Sequence, residues 1–473
     1  MQNYRTERDS VGELAVKSDA YYGVQSLRAK NNFPIMGRAM HFEFIKSIVL
    51  IKKTAAIVNR DCGFLDGDKA RSIVAACDEI LAGKHRKEFI VDAVQGGAGT
   101  SANMNVNEVV ANIAIEMLGG CRGDYKLVSP NDDVNMEQST NDVIPTAGKM
   151  TVLTLGRKLI EKLHRLHSAL KRKAEEFDCV VKMGRTELQD AVPMRMGQAF
   201  NAFASAISRD IWRIKKSFDE MRVINLGATA IGTAINTKRE YFDNVIEVLS
   251  SLANENFVRA DDLFDATQNT DCFVVVSGTL KALAVNLSKM CNDLRLLSSG
   301  PRAGLGEITL PAKQNGSSIM PGKVNPVIPE VVNQVAFLII GHDVTVTMAA
   351  EAGQLELNAF EPIIFHQLFE SITALTGAVD TLTVNCIEGI TVNRERCEEF
   401  VRGSVGAVTA LNPYIGYTKA AEIAKESLKT GESIKNIVLR EGLIEEDKID
   451  EILDPSALTM AWPEKTKDNI DIK

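Results

Sequence analysis

The sequence predicts a mainly α-helical protein built around a central bundle of long helices. Two observations carry that expectation. The first is proline placement: residues 35–129, 146–192, 194–300 and 363–412 contain none, while five of the thirteen prolines (301, 311, 321, 326 and 329) fall in one 29-residue window. Proline lacks an N–H and clashes with the preceding helical turn, so the empty spans permit long helices and the crowded window does not. The second is apolar periodicity. Val152, Leu155, Leu159, Leu163, Leu166 and Leu170 recur at steps of three and four, as do Leu283, Leu287, Met290, Leu294 and Leu297. That is the period of an amphipathic helix, and helices of this length pack as a bundle. Strand-like alternation is confined to short pieces near the N-terminus.

Taken in order, the chain divides at two places. The turn cluster Pro130-Asn131-Asp132-Asp133 precedes the first long periodic stretch, and polarity rises after Gly389–Asn393. With 473 residues, 45% of them hydrophobic, the chain is long enough for two or three domains. We expect an N-terminal domain over 1–139, a long-helix bundle over 140–392 and a small C-terminal helical domain over 393–473. In the bundle, Val331–Ala350 carries few charges around its circumference. A helix apolar on every side must be enclosed, so packing against other subunits is expected. In the C-terminal part, Thr430–Ser433 and Glu441–Leu443 read as turns between short helices, and Pro463–Lys473 as a charged tail. No internal repeat is evident.

Composition excludes several classes of function. The net charge is -8, and no Lys/Arg run of the kind that gives a clustered cation excess appears, so a nucleic-acid surface is not expected. The eight cysteines form no Cys-x-x-Cys pair and do not stand at zinc-ligand spacing with the six histidines. They read as free thiols of a reducing compartment. The start of the chain is too polar for a signal peptide, and the apolar run Val335–Ile340 is far shorter than the ~20 residues of a membrane span. A cytoplasmic protein without membrane, metal or cofactor is expected. No dinucleotide fingerprint appears either.

The chemistry concentrates in Gly316-Ser317-Ser318-Ile319-Met320-Pro321-Gly322-Lys323-Val324-Asn325-Pro326. Glycine and proline make this a loop. It brings two hydroxyls, an ammonium and an amide together, a set suited to a substrate carrying carboxylates. A Walker phosphate loop is excluded: five residues separate Gly316 from Gly322, and Val324 follows Lys323. Two other segments offer small neutral donors, Gln95–Glu108 with Thr100, and Gln138–Asp142 with Ser139, Thr140 and Asn141. Each also suits a helix cap, which is its purely structural reading.

These blocks together resemble the fumarase/aspartase superfamily. The likeness extends over nearly the whole chain, through Gly184–Pro193, Leu226–Thr233, Asn292–Arg295 and Ser299–Arg302. It implies a three-domain fold with a central long-helix bundle, a homotetramer, and active sites assembled from three subunits. It also implies the roles of individual residues. Ser317 is the base that removes a proton from carbon. Thr100, Ser139, Thr140 and Ser318 hold the charge that develops on a carboxylate. Lys323, Asn325 and Thr186 take the second carboxylate, and Asn141 and Thr186 the amino group, with Glu187 and Glu330 as further candidates. No cofactor is implied, and the Ala-Ser-Gly triplet of aromatic ammonia-lyases is absent.

Within the superfamily the chain most resembles the aspartases, through Gly97–Ser101, Pro326–Val331 and Met348–Leu355. The implied reaction is reversible removal of ammonia from L-aspartate to give fumarate. Fumarate hydration, or lysis of another C4 amino dicarboxylate, is the alternative. Fumarases carry His where this chain has Glu187, and none of the six histidines (41, 85, 164, 167, 342 and 366) lies in any of the blocks, which favours the amino substrate. Two positions depart from the aspartase pattern: Glu187, where Gln or His is usual, and Ala234, where Gly is usual.

Overall fold

The computed structural model describes residues 3–459, so the charged segment Pro463–Lys473 lies outside the described residues. The chain opens with a hairpin of β1 (Tyr4–Asp9) and β2 (Gly12–Lys17), paired antiparallel. Helices α1 (Val24–Asn32), α2 (Phe42–Asp61), α3 (Gly67–Leu81) and α4 (Thr100–Met117) follow. A π-helical turn over Pro130–Val134 leads into α5 (Thr140–Glu176), which is 37 residues long. A second hairpin, β3 (Val181–Thr186) and β4 (Gln189–Arg195), precedes α6 (Met196–Ser217). Two-residue strands β5 (Val223–Ile224) and β6 (Val258–Arg259) pair in parallel on either side of α7 (Arg239–Ala253) in sequence. Then come α8 (Asp265–Gln268), α9 (Asp271–Leu297), β7 (Ile308–Thr309), α10 (Val327–Glu351), α11 (Glu361–Asn385) and β8 (Thr391–Val392), which pairs with β7. The chain closes with α12 (Arg394–Gly403), α13 (Asn412–Ile415), α14 (Tyr417–Thr430), α15 (Ile434–Arg440), α16 (Glu446–Leu453) and α17 (Pro455–Leu458). The mainly helical expectation holds, and the periodic stretches at 152–170 and 283–297 lie in α5 and α9.

The β3–β4 hairpin corrects one reading. Proline is absent as far as 192, yet α5 stops at Glu176. The run Val180-Val181-Lys182-Met183 favours an extended backbone. Thr186 pairs with Gln189, so Glu187 and Leu188 form a two-residue turn with φ of +54° and +64°. That is the doubly left-handed turn whose twist matches a hairpin, made here without glycine.

Contacts divide the chain into two compact units. One comprises the chain up to Glu161, Asp210–Val285 and Val335–Gly377; the other comprises Lys162–Arg209, Asn286–Gln334 and the described chain from Ala378. In the first, α2 is the central core helix. Ile45, Ile48, Val49 and Ile51 are fully or almost fully buried, each contributing about 1.5–3 kcal/mol. Asp66 starts α3 by accepting from the N–H groups of Asp68 and Lys69. Pro145 sits inside α5 and leaves the Asn141 carbonyl without its helical donor; Asn225 Nδ2 supplies one at 3.1 Å. Lys52 is fully buried and donates to Asn135 Oδ1 at 2.8 Å and Gln138 Oε1 at 2.9 Å. Burial pulls its ammonium down to about 7.

Glu361 is 2% exposed, with its Oε2 lacking a hydrogen-bond partner. Burial pushes its carboxyl up to about 8, against the opposing pull of Lys149. The folded state therefore holds this proton more tightly than the unfolded chain. Stability from the group is complete below about 4.5, the ordinary value, and is lost as pH rises through about 8. We expect Glu361→Gln to remove this loss. The wild type should fall in chemical-denaturation midpoint relative to the variant between these limits. Parallel pH profiles would refute the assignment.

In the second unit, Glu307 is fully buried between Arg185 Nη1, at 3.0 and 3.1 Å, and Lys182 Nζ, at 3.3 Å. Its backbone carbonyl accepts from Asn393 N–H at 2.9 Å. Glu307 thus holds β3 with its carboxylate and Asn393, just before α12, with its backbone carbonyl; Phe400 of α12 lies 5.0 Å under the Arg185 guanidinium. Further along, Leu411, Ile423, Ile434, Ile437, Val438 and Ile449 form a separate apolar cluster.

The expectation that the Val331–Ala350 helix is enclosed is not met within one chain. Phe337, Val344 and Met348 on α10 are 64%, 56% and 67% exposed. Helices α9 and α10 are long and apolar enough, by length and composition, to cross a membrane. Each nevertheless carries a charge in its middle, and Lys281 pairs with Asp343 at 2.5 Å.

Candidate active site

The expected site residues fall into two groups, one in each unit. In the first unit, the Gln95–Glu108 block is a loop running into α4. Gly97, Ala98 and Gly99 have φ of +88°, +52° and +86°. A Cβ at Gly99 would meet Ile144 Cγ2 at 2.8 Å, so only glycine fits. Gln95 Oε1 accepts from the Ala102 N–H at 2.8 Å, and Gln95 Nε2 donates to the Asp92 carbonyl at 2.7 Å. This clamp leaves Thr100 exposed as the first residue of α4, at the positive end of the helix dipole.

The Gln138–Asp142 block starts α5 with a reciprocal cap. Ser139 Oγ accepts from Asn141 N–H at 3.3 Å, and Asp142 Oδ1 accepts from Ser139 N–H at 3.0 Å. Asn103 Nδ2 donates to Asn135 Oδ1 at 3.1 Å and reaches Thr140 Oγ1 at 3.4 Å, linking the starts of α4 and α5. Asn141 Nδ2 donates to the Ala230 carbonyl at 2.8 Å. Asp142 Oδ2 accepts from the N–H groups of Gly227 and Thr229 at 3.0 and 3.1 Å. Burial raises the Asp142 carboxyl to about 6 against the pull of these donors. The Leu226–Thr233 segment is thereby fixed to the start of α5. Ala234, with φ +54°, adopts the left-handed backbone that glycine favours.

The first unit thus brings Ser139, Thr140 and Asn141 together, and links them to the helix that Thr100 begins. Sequence reasoning did not single out Asn103, Asp142 or Lys52. The Ser-x-x-Asp spacing at 139–142 was the available signal for Asp142. Lys52 stands beside Lys53 in α2, and no short-range pattern marks it as the buried one of the two.

In the second unit, Thr186 and Glu187 are exposed at the tip of the β3–β4 hairpin. The 316–326 loop is held by bonds within itself. Gly316 N–H donates to the Lys323 carbonyl at 2.9 Å, and Asn325 Nδ2 donates to the Gly316 carbonyl at 2.8 Å. A Cβ at Gly316 would stand 2.4 Å from the Lys323 carbonyl oxygen, so the neck of the loop needs glycine. Ser317 Oγ accepts from two backbone N–H groups, Ile319 at 3.2 Å and Met320 at 3.1 Å. Ser318 and Lys323 are exposed, and the Lys323 ammonium makes no ion pair among the described residues. Glu330 lies in the first turn of α10, away in sequence from the hairpin turn that carries Glu187. No cluster of His, Cys, Asp or Glu suited to a metal ion occurs among the described residues.

The sequence model of a family described as Lyase matches residues 12–341, and one described as Fumarase C C-terminus matches 408–460. The chain is 50% identical over 458 residues to the aspartate ammonia-lyase of Bacillus subtilis, covering 97% of this chain and 96% of that protein. It is 49% identical to the Escherichia coli K12 aspartate ammonia-lyase, covering 95% of each. The chain belongs to the aspartate ammonia-lyase family. The family's wider relations appear in solved structures. Fumarate lyase:delta crystallin from Brucella melitensis, solved with cobalt, superposes with a TM-score of 0.94 at 48% identity, covering 97% of this chain and 100% of that one. The class II fumarase of Schistosoma mansoni also gives 0.94, at 35% identity and with 98% and 100% coverage. The aspartate ammonia-lyase relatives share more identity with this chain than that fumarase does.

Proposed function

We propose that this chain is an aspartate ammonia-lyase that interconverts L-aspartate with fumarate and ammonia, using Ser317 as its base. The observation that carries the base assignment is the pair of backbone N–H groups directed at Ser317 Oγ. A serine hydroxyl is a poor base near neutral pH. Two fixed donors, with the Lys323 cation in the same loop, lower the cost of its alkoxide.

The alkoxide takes a proton from the carbon beside the β-carboxylate. The electron pair moves into that carboxylate as an aci-carboxylate dianion. The pair then returns to form the carbon–carbon double bond while the C–N bond breaks, and the substrate ammonium leaves as neutral ammonia. Thr100, Ser139, Thr140 and Ser318 supply neutral donors to the dianion, where fixed dipoles lower the barrier most. Lys323, Asn325 and Thr186 bind the other carboxylate. Asn141 and Thr186 face the amino group, with Glu187 and Glu330 as nearby carboxylates.

The donors belong to separate blocks, and we propose that a homotetramer assembles them, with each site shared among three subunits. The exposed apolar side chains of α10 support this, since burying them between subunits removes their contact with water. We keep the three-part division 1–139, 140–392 and 393–473, and a cytoplasmic location, as parts of the same reading.

The test is direct. Purified protein given L-aspartate should release fumarate, seen by its ultraviolet absorbance, together with free ammonia in equal amount. Turnover of malate without turnover of aspartate would replace this reading with fumarate hydration. Silence on both would favour a scaffold that keeps the fold alone.

A further inference from the structure

A cavity of about 190 Å³ lies within the first unit, bounded by the 38–41 segment, the turn at Gly99, Ile144 of α5 and one face of α11. Three phenylalanines form its wall. Phe44, Phe365 and Phe369 are 6%, 2% and 3% exposed. Their ring centroids stand 5.5 Å apart for Phe44–Phe365 and Phe44–Phe369, and 5.9 Å for Phe365–Phe369. Ile144 and Ala102, both almost fully buried, add further apolar surface. The space is large enough for one aromatic ring, since a cavity of about 150 Å³ holds benzene. Rings at these separations also accept another ring edge-to-face or offset.

The polar lining selects the kind of ring. Arg38 and Glu370 are the two charged residues lining the cavity; they lie 3.9 Å apart and offset each other. Burial holds His41 and His366 below the ordinary imidazole value, so both are neutral at pH 7. His41 Nδ1 is already committed, accepting from Glu43 N–H at 3.2 Å. The partly buried His366 ring makes no hydrogen bond among the described residues. The lining therefore offers the wholly uncommitted imidazole of His366, the remaining ring nitrogen of His41 and no net charge.

We propose that this cavity binds a small uncharged aromatic molecule, a single ring bearing one hydroxyl, with the ring against the phenylalanines and the hydroxyl on His366. Occupancy is transmitted to Thr100. Gly99 lines the cavity, packs against Ile144 without room for a Cβ, and precedes Thr100 directly. This second step rests on the role proposed above for Thr100; the binding step does not.

The probe is 4-fluorophenol, followed by fluorine NMR on the assembled full chain. Saturable binding at about millimolar concentration or below is expected. Ala39 lines the exposed mouth, and Ala39→Trp should weaken binding at least about tenfold, a change of 1.4 kcal/mol. His366→Phe should abolish the preference for 4-fluorophenol over fluorobenzene while both still bind. Absence of saturation by about 10 mM, unchanged affinity in Ala39→Trp, or tighter binding of 4-fluorobenzoate would each overturn the site. Saturating probe should also shift KM for the amino substrate severalfold, and Ala39→Trp should suppress the shift. Thr100→Val separates the two steps. If it leaves KM unchanged, the Thr100 role fails and the site stands; if it raises KM while the probe does not, the transmission step is overturned.

Discussion

Ser317→Ala is expected to lower kcat by about 10³- to 10⁶-fold, the range seen when a base or its equivalent is removed. The substitution deletes the one oxygen on which two backbone N–H groups converge in the 316–326 loop. Those N–H groups lie in an exposed part of the loop, where water replaces the lost acceptor, so the fold and the oligomer should be unaffected. The neck of the loop is made by Gly316, Lys323 and Asn325 and does not involve residue 317. Steady-state assay, with sedimentation to follow assembly, separates chemistry from structure. Ser318→Ala, which removes a donor and not the base, should cost less. Residual turnover within tenfold of wild type in Ser317→Ala would sink the base assignment.

The largest expected effect on stability is at Glu307. Glu307→Ala would leave Lys182 and Arg185, which are 7% and 14% exposed at their side chains, without their shared anion. Removing one partner of a buried ion pair costs about 3–5 kcal/mol, because the remaining charge stays desolvated. Here two cations of like sign would also face one another. We expect a clear fall in melting temperature and early proteolysis within β3–β4 and α12, the elements that Glu307 joins. Glu307→Gln keeps the shape and two polar atoms, and should fall between wild type and the alanine variant. A melting temperature equal to wild type in Glu307→Ala would show that the triad contributes nothing net. Catalysis should also suffer in both variants, since Thr186 ends the strand that the triad holds.

Much of the site was legible because its signals are local. Gly316, Gly322 and Pro321 announce a loop, and the loop's hydrogen bonds are indeed internal to it. Ser139 and Asp142 stand three apart, the spacing of a reciprocal cap, and they form one. Asn103, Asp142 and Lys52 were not legible as part of the same arrangement. Asn103 reaches Thr140 across 37 residues, and Asp142 holds backbone 85 and 87 residues away. No short-range pattern reports bonds of that span. Glu187, a candidate site carboxylate in the sequence, occupies the turn of a hairpin with a left-handed backbone, since the propensity of 180–183 for strand overrides the absence of proline.

What the sequence determined alone was the helical class, the order of its long helices and the blocks that carry chemistry. Periodicity, proline placement and capping act within one or two turns, so they survive without knowledge of the fold. Only the tertiary structure decided which charges are buried, where Glu307, Asp142 and Glu361 lose water, and which apolar faces remain open on α10. It also decided that three phenylalanines from two helices enclose a space rather than fill it. Burial and cavity volume arise from surfaces distant in the chain meeting one another. They depend on the packing of whole elements and are written in no single segment.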